Sequence, residues 1–271
     1  MEWVTPSVFL IAHSVPIIET AREWIDELGF DPEAGVLDSK GVLSGPEELI
    51  AWAGKRCYNS FATGGNPNIT KIRSDWTDYF ENLLASGHGS VLEHASFTFA
   101  IENVSRVLTA ELDRHRAGVA ISEGSLRYIR YKAGHLPFVC PPSLVSPDSE
   151  KMHRTKAIIA EAVDDIETHY AALVDLWEPE LNASGNFKLK KELTSLFRRI
   201  LPMGIATGGI WTFNLRALRH ILTMRGSEAA EEEICELTFK LYALAASVLN
   251  VGISDFTVED GRYLRPKYVK V

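Results

Sequence analysis

The chain has 271 residues, 46% of them hydrophobic and 24% charged, and carries a net charge of -8. That length can bury a sizeable core, and that composition excludes a disordered, collagen-like or coiled-coil chain. No apolar run approaches the ~18–20 residues of a membrane span, global acidity argues against a nucleic-acid partner, and three dispersed cysteines (Cys57, Cys140, Cys235) form no disulfide framework.

The N-terminal MEWVTPSVFLIAHS has an early acid and no Lys or Arg, so it does not read as a signal peptide, and a reducing cytoplasm is the expected setting. The first forty residues show little periodicity, and DPEAGVLDSKG reads as a loop. Ser44-Gly45-Pro46-Glu47 is a capping-box pattern that opens a helix reaching about Tyr58. NSFATGGNPN is turn chemistry. Ser74 then precedes a helical stripe of Trp76, Tyr79, Phe80, Leu83 and Leu84, which Gly87 ends. Phe97, Phe99 and Ile101 alternate with Thr98 and Ala100 as in a strand. Ser105 is placed to cap a helix ending near Arg116, and Arg127 to Lys132 reads as a second short strand. Four prolines between 137 and 147 mark an irregular connection. A long helix is expected from about Ser149 to Trp177, with Ile158, Ala162, Ile166, His169, Leu173 and Leu176 on one face. A short helix carries Leu193, Leu196, Phe197 and Ile200 up to Pro202. Another runs from Asn214 to Arg225, stopped by Gly226, and a last one repeats Ile234, Leu237, Leu241, Leu244 and Val248 until Gly252. Helices dominate and strands are few, which favours an α+β fold over a doubly wound sheet.

The charge is uneven. Residues 105–132 hold six cations (Arg106, Arg114, Arg116, Arg127, Arg130, Lys132) against three acids (Glu111, Asp113, Glu123), a basic island that suits a small anionic ligand. Arg114-His115-Arg116 at a helix C-terminus would complement the dipole and face water. Its arginines equally suit phosphate or carboxylate, and the following Ser122-Glu123-Gly124-Ser125-Leu126-Arg127 offers small residues, a hydroxyl and a guanidinium as a phosphate cradle. His88-Gly89-Ser90 with Glu93-His94 lacks the spacing of a zinc motif, so no metal is expected there. Arg216 and His220 share a helix face at i, i+4. Cys140 has no adjacent base and reads as a structural cysteine. Neither a dinucleotide fingerprint nor a P-loop is present.

The order and spacing of these clusters from about Glu47 to Glu233 resembles the flavin-dependent thymidylate synthases. The resemblance rests on His88-Gly89-Ser90, Glu93-His94, Arg114-His115-Arg116, Glu123 to Arg127, Arg198 before Leu201-Pro202, and Thr212-Phe213-Asn214-Leu215-Arg216 leading through His220 to Arg225. It implies a single domain over 1–271 with a small, mostly antiparallel sheet packed with several long helices. It also implies FAD as cofactor, with NADPH and methylene-tetrahydrofolate as co-substrates and C5-methylation of a uridine monophosphate, dUMP by default, in a homotetramer. On that resemblance His88, Ser90, Arg114, His115, Arg116, Asn214, Arg216 and His220 would line the flavin. Glu111, Arg114, Glu123, Gly124, Ser125, Leu126, Arg127, Arg198 and Arg225 would hold the nucleotide, with Arg225 as the catalytic residue facing the uracil ring. Three departures stand out: eight residues, Ala117 to Gly124, separate the RHR from the serine where the family has seven; Glu111 replaces a glutamine; and Ala229 replaces a histidine. A uridylate methylase acting on UMP or a modified uridylate in nucleoside-antibiotic synthesis is the alternative. From other classes, a non-catalytic flavin- or nucleotide-binding protein comes next and a metal-dependent hydrolase last.

Overall fold

The computed structural model describes residues 1–32, 37, 39–132 and 134–270, so the loop expected at DPEAGVLDSKG lies partly outside the described residues. The strands are β1 (Glu2–Val4), β2 (Ser7–His13), β3 (Ser96–Ser105), β4 (Val119–Glu123), β5 (Pro137–Val139), β6 (Ala206–Asn214), β7 (Phe256–Glu259) and β8 (Tyr263–Pro266). The helices are α1 (Ile18–Glu27), α2 (Gly45–Tyr58), α3 (Trp76–Ala85), α4 (Arg106–Leu112), α5 (Pro142–Val145), α6 (Glu150–Leu176), α7 (Glu178–Asn182), α8 (Phe187–Phe197), α9 (Leu215–Arg225) and α10 (Glu232–Ala246). Four strands form an antiparallel sheet in the order β2-β3-β6-β4. The α+β architecture with a small antiparallel sheet is therefore the observed one.

Side-chain alternation sends Phe97, Phe99, Ile101, Trp211 and Phe213 to one face of that sheet, all fully buried. There they join Leu218, Ile221 and Leu222 of α9 and Ile234, Leu237 and Leu241 of α10 in the main core. The opposite face is left partly open among the described residues. Thr98 and Thr212 hydrogen-bond across it at 2.9 Å, and Phe9, Ile11 and Ile210 stand 56%, 52% and 44% exposed. Two smaller cores lie along α6, one around Leu136, Phe138, Val163 and Ile205 and one around Tyr170, Leu181, Leu193 and Phe197.

Local signals fixed most helix starts. Glu47 reaches back to the Ser44 amide at 2.8 Å, and the side chains of Ser105, Ser149 and Asn214 accept from the amides of Leu108, Met152 and Ala217. Other expectations need correction. Asp75, not Ser74, caps α3 by accepting from the Asp78 amide. The last helix ends at Ala246, short of Gly252. The face of α6 that packs inward carries Val163 and Tyr170, whereas Ile158 and Leu176 are exposed.

Two corrections bear on the site. α4 ends at Leu112, because Arg114 and His115 turn back onto Glu111 and Leu112 in tight i→i−3 bonds and Gly118 takes a left-handed φ of 72°. Arg114-His115-Arg116 therefore lies on a turn beyond the helix rather than in its last turn. The strand expected at Arg127 to Lys132 is absent: the Tyr128 and Ile129 amides bond to the Ser125 carbonyl, closing a turn. The strand that does form, β4, pairs with β6 from Val119↔Phe213 to Glu123↔Gly209 in unbroken register, so the extra residue of this segment makes no bulge within it.

Candidate active site

β4 ends at Glu123 on the sheet edge, and Gly124 adds one more bond to the Gly208 carbonyl before the Ser125 turn. Opposite, the first turn of α4 supplies Arg106, and the chain after α8 supplies Arg198 and Arg199. Together they frame a cleft of about 620 Å³ lined by Glu123, Gly124, Ser125, Leu126, Arg198 and Arg199 among others. This volume lies within the ~300–1,000 Å³ of small-molecule sites. Arg106 Nη1 sits 2.8 Å from Glu123 Oε1, and its Nη2 donates to the Gly124 carbonyl at 2.5 Å. The 2.8 Å contact is an ion pair, and Glu123 Oε1 and Arg106 Nε are buried with no hydrogen-bond partner among the described residues. Burial pushes the Glu123 carboxyl above the usual carboxylate range, and the Arg106 charge only partly opposes this.

A second cluster forms where α4 meets the end of α9. Arg225 Nη1 contacts Glu111 Oε2 at 2.6 Å, and Arg225 Nε donates to His115 Nε2 at 3.1 Å. His115 therefore accepts through Nε2 and is neutral, in agreement with a pKa held below the usual histidine value first by burial, then by the Arg225 charge and His220. The His115 and His220 rings meet edge to face at 5.4 Å. A guanidinium has five N–H donors. Two are used here, so three remain for a ligand.

The other expected residues are distributed around these two clusters. Arg216, exposed on α9, pairs with Glu93 at 2.6 Å, which gives Glu93 a partner other than a metal. His88 Nε2 lies 3.0 Å from the Tyr58 hydroxyl, with the two rings stacked at 5.6 Å. Ser90 is exposed on the 3₁₀ turn Gly89–His94. Asn214 uses its side-chain oxygen to cap α9. Arg114 and Arg116 are exposed, and their guanidinium groups make no ion pair or hydrogen bond with the described residues. Two unspent guanidinium groups flanking His115 are donors suited to a diphosphate-bearing cofactor. Arg127 is not in the cleft: it lines a separate basic pocket with Arg130, Lys190 and Lys191. Sequence reasoning missed Arg106, Arg199 and Tyr58 as site residues. Arg106 gave one signal, its membership of the basic island. Cys140 is buried, with its thiol pKa raised by that burial, as a structural cysteine requires.

A family model described as thymidylate synthase complementing protein matches residues 40–249. The chain is 33% identical over 215 residues to a flavin-dependent thymidylate synthase of Mycobacterium tuberculosis, covering 79% of this chain and 81% of that one. It is 32% identical over 208 residues to one of Geobacter sulfurreducens, covering 75% and 78%. A crystal structure of the UMP/dUMP methylase PolB from Streptomyces cacaoi bound with 5-Br dUMP superposes with a TM-score of 0.61 at 18% identity, covering 93% of this chain and 95% of that one. The same methylase bound with 5-Br UMP gives 0.63 at 17% identity, covering 93% and 94%.

Proposed function

Since this chain belongs to the flavin-dependent thymidylate synthase family, we propose that it catalyses reductive C5-methylation of a uridine monophosphate with FAD, NADPH and methylene-tetrahydrofolate. The observation that carries this reading is the cleft at Glu123 to Leu126, with Arg198 and Arg199 across it. Bound FAD would supply the hydride and one-carbon chemistry, held by Arg114, Arg116, Ser90, His88, His220 and Arg216. The chain's own part is to bind, orient and polarise. Arg198 faces a phosphate, Glu123 Oε1 accepts from a sugar hydroxyl, and the Ser125 hydroxyl and local amides complete the cradle. Arg225, aimed by Glu111 and neutral His115, presents its three remaining donors to negative charge developing on the pyrimidine as C5 becomes nucleophilic.

dUMP is the default substrate. UMP is the second reading: Glu111 gives only Oε2 to Arg225, so its other oxygen remains to accept from a ribose 2′-hydroxyl. The residues assigned to the nucleotide lie in two clusters of one chain, the Glu123 cleft and the Arg225 corner, and the sheet leaves an apolar face open. Both support a homotetramer whose sites are completed between subunits. A single domain is supported by β1, which pairs with β5 and ties the N-terminal segment to the far side of the chain. A cytoplasmic setting is supported by three free cysteines, and no helix among the described residues is long and apolar enough to cross a membrane.

The test is the absorption spectrum of the purified protein followed by turnover with dUMP and UMP. Visible flavin bands and methylation of either nucleotide are expected. A protein that cannot be reconstituted with FAD, or that binds FAD and methylates neither, overturns the reading.

A further inference from the structure

Beyond the cleft and the Arg225 cluster lies a second concavity of about 280 Å³, lined by α2, α3 and the 60–73 loop between them. Lys55, Lys71, Arg73 and His88 contribute its polar wall, and no Asp or Glu is among its lining residues. This is unusual in a chain whose net charge is -8. Lys55 is only 4% exposed. Its ammonium donates to the Arg73 carbonyl at 3.2 Å and lies over the rings of Trp76 and Tyr79, at 5.3 and 4.8 Å from their centroids. No carboxylate pairs with it, and the charge that acts most on it is the like charge of Arg73. An ammonium has three donors, so two are left after the Arg73 carbonyl. A buried cation without a counter-ion is costly, and an anion arriving from outside relieves that cost. Lys71 and Arg73, both exposed at the mouth, would draw such an anion in.

The position of the pocket says which anion. His88 lines it and stacks on Tyr58, another lining residue, so the pocket adjoins a residue assigned to the flavin. A one-carbon donor has to bring its pterin to the flavin, and its γ-glutamyl tail must then leave the flavin site along some wall of the protein. At about 280 Å³ the pocket is smaller than a whole-ligand site of ~300–1,000 Å³ and suits an appendage. We propose that the Lys55–Lys71–Arg73 pocket is a carboxylate subsite that binds the γ-glutamyl tail of the folate co-substrate. This rests on the function proposed above. The 2′-phosphate of NADPH presents the same anionic chemistry and is the competing source.

The experiment uses the FAD-loaded enzyme and measures, by calorimetry, binding of tetrahydrofolate carrying one or four γ-linked glutamates. The wild type is expected to prefer the tetraglutamate by about tenfold, the value of one charge-assisted contact. Lys71→Ala/Arg73→Ala, which alters exposed residues, should bring the two affinities within about threefold. Lys55→Met should do the same, and retained flavin absorbance shows whether this buried variant has folded. Equal wild-type affinity for both folates overturns the proposal, as does a preference that survives the double variant. If the double variant instead erases discrimination between NADPH and NADH, the pocket reads the 2′-phosphate and the folate assignment falls. Complete failure of the wild type to bind either folate, with flavin and nucleotide bound, removes the proposed function itself; binding without a tail effect removes only the subsite.

Discussion

Arg225 is aimed by two different acceptors, an ionised carboxylate and a neutral imidazole. Its charge is thereby partly offset before any substrate arrives, while its orientation is fixed. Arg225→Ala is expected to lower kcat about 10²–10³-fold, the usual loss for a donor aimed at developing charge, with flavin retained. Glu111→Ala leaves the guanidinium but frees it to turn, so a smaller loss is expected, carried by kcat more than KM. Steady-state kinetics with the flavin spectrum as control separates the two. Glu123 makes a second prediction. Burial raises its pKa, so its acceptor is present above that raised value and lost as pH falls through it, at a higher pH than for an ordinary carboxylate. The sign for stability is opposite: the folded state takes up the proton first, so the contribution is present at low pH and lost as pH rises through the raised pKa. Nucleotide affinity should therefore weaken on acidification at a higher pH than an ordinary carboxylate would cause, and Glu123→Gln should flatten that limb. An acid limb identical in the wild type and in Glu123→Gln would contradict this. His115 has a lowered pKa, so it stays neutral as pH falls past the usual histidine value and adds no limb above it.

At the scale of elements, local chemistry was readable and pairing at a distance was not. The capping box at Ser44 was legible because both partners lie within four residues. It told only half of what Glu47 does. The carboxylate is fully buried, and its other oxygen accepts from the Val251 and Gly252 amides at 2.7 and 2.6 Å, clipping the start of α2 to the loop after α10. Glu47→Gln places an amide where donors already converge. It should cost roughly 2–3 kcal/mol in denaturant unfolding, in the range for a lost hydrogen bond to a buried charge. β6 went unread for a related reason. Gly208 and Gly209 interrupt its apolar side chains, and what they serve is close approach: a Cβ at Gly208 would collide with Glu102, and one at Gly209 with the Ser122 carbonyl. The site divides the same way. Motif spacing named Glu123 to Leu126, Arg198, Arg216, His220 and Arg225. It could not show that Glu111 faces Arg225 or that Arg106 faces Glu123, because those contacts depend on how α4 crosses toward α9 and β4. Arg127 turned away because the strand expected to carry it is a turn.

For the whole molecule, the uncovered sheet face is the surface expected to join subunits in the proposed tetramer. Phe9, Ala100 and Ile210 form an apolar strip across β2, β3 and β6, and Ile11 is exposed at the irregularity in β2. Ile210→Glu places a charge on that strip without touching the buried side of the sheet. The expected result is a protein with unchanged far-ultraviolet circular dichroism that sediments as a smaller species and loses flavin. An Ile210→Glu variant that keeps the wild-type mass and its flavin would remove this face from the interface.

The central pairing of β3 with β6 also has a kinetic side. Ser96 lies opposite Asn214 and Phe99 opposite Trp211, so the heart of the sheet joins segments that emerge from the ribosome far apart in time. Until the second of them is synthesised, Phe97, Phe99 and Ile101 have only β2 beside them, and neither β6 nor the α9 side chains that cover them. Contacts this distant in sequence slow folding, because the loop must close before they reward it. The nascent chain therefore carries this aromatic strand unsheltered through about two-fifths of its synthesis, the interval in which a chaperone has most to offer it.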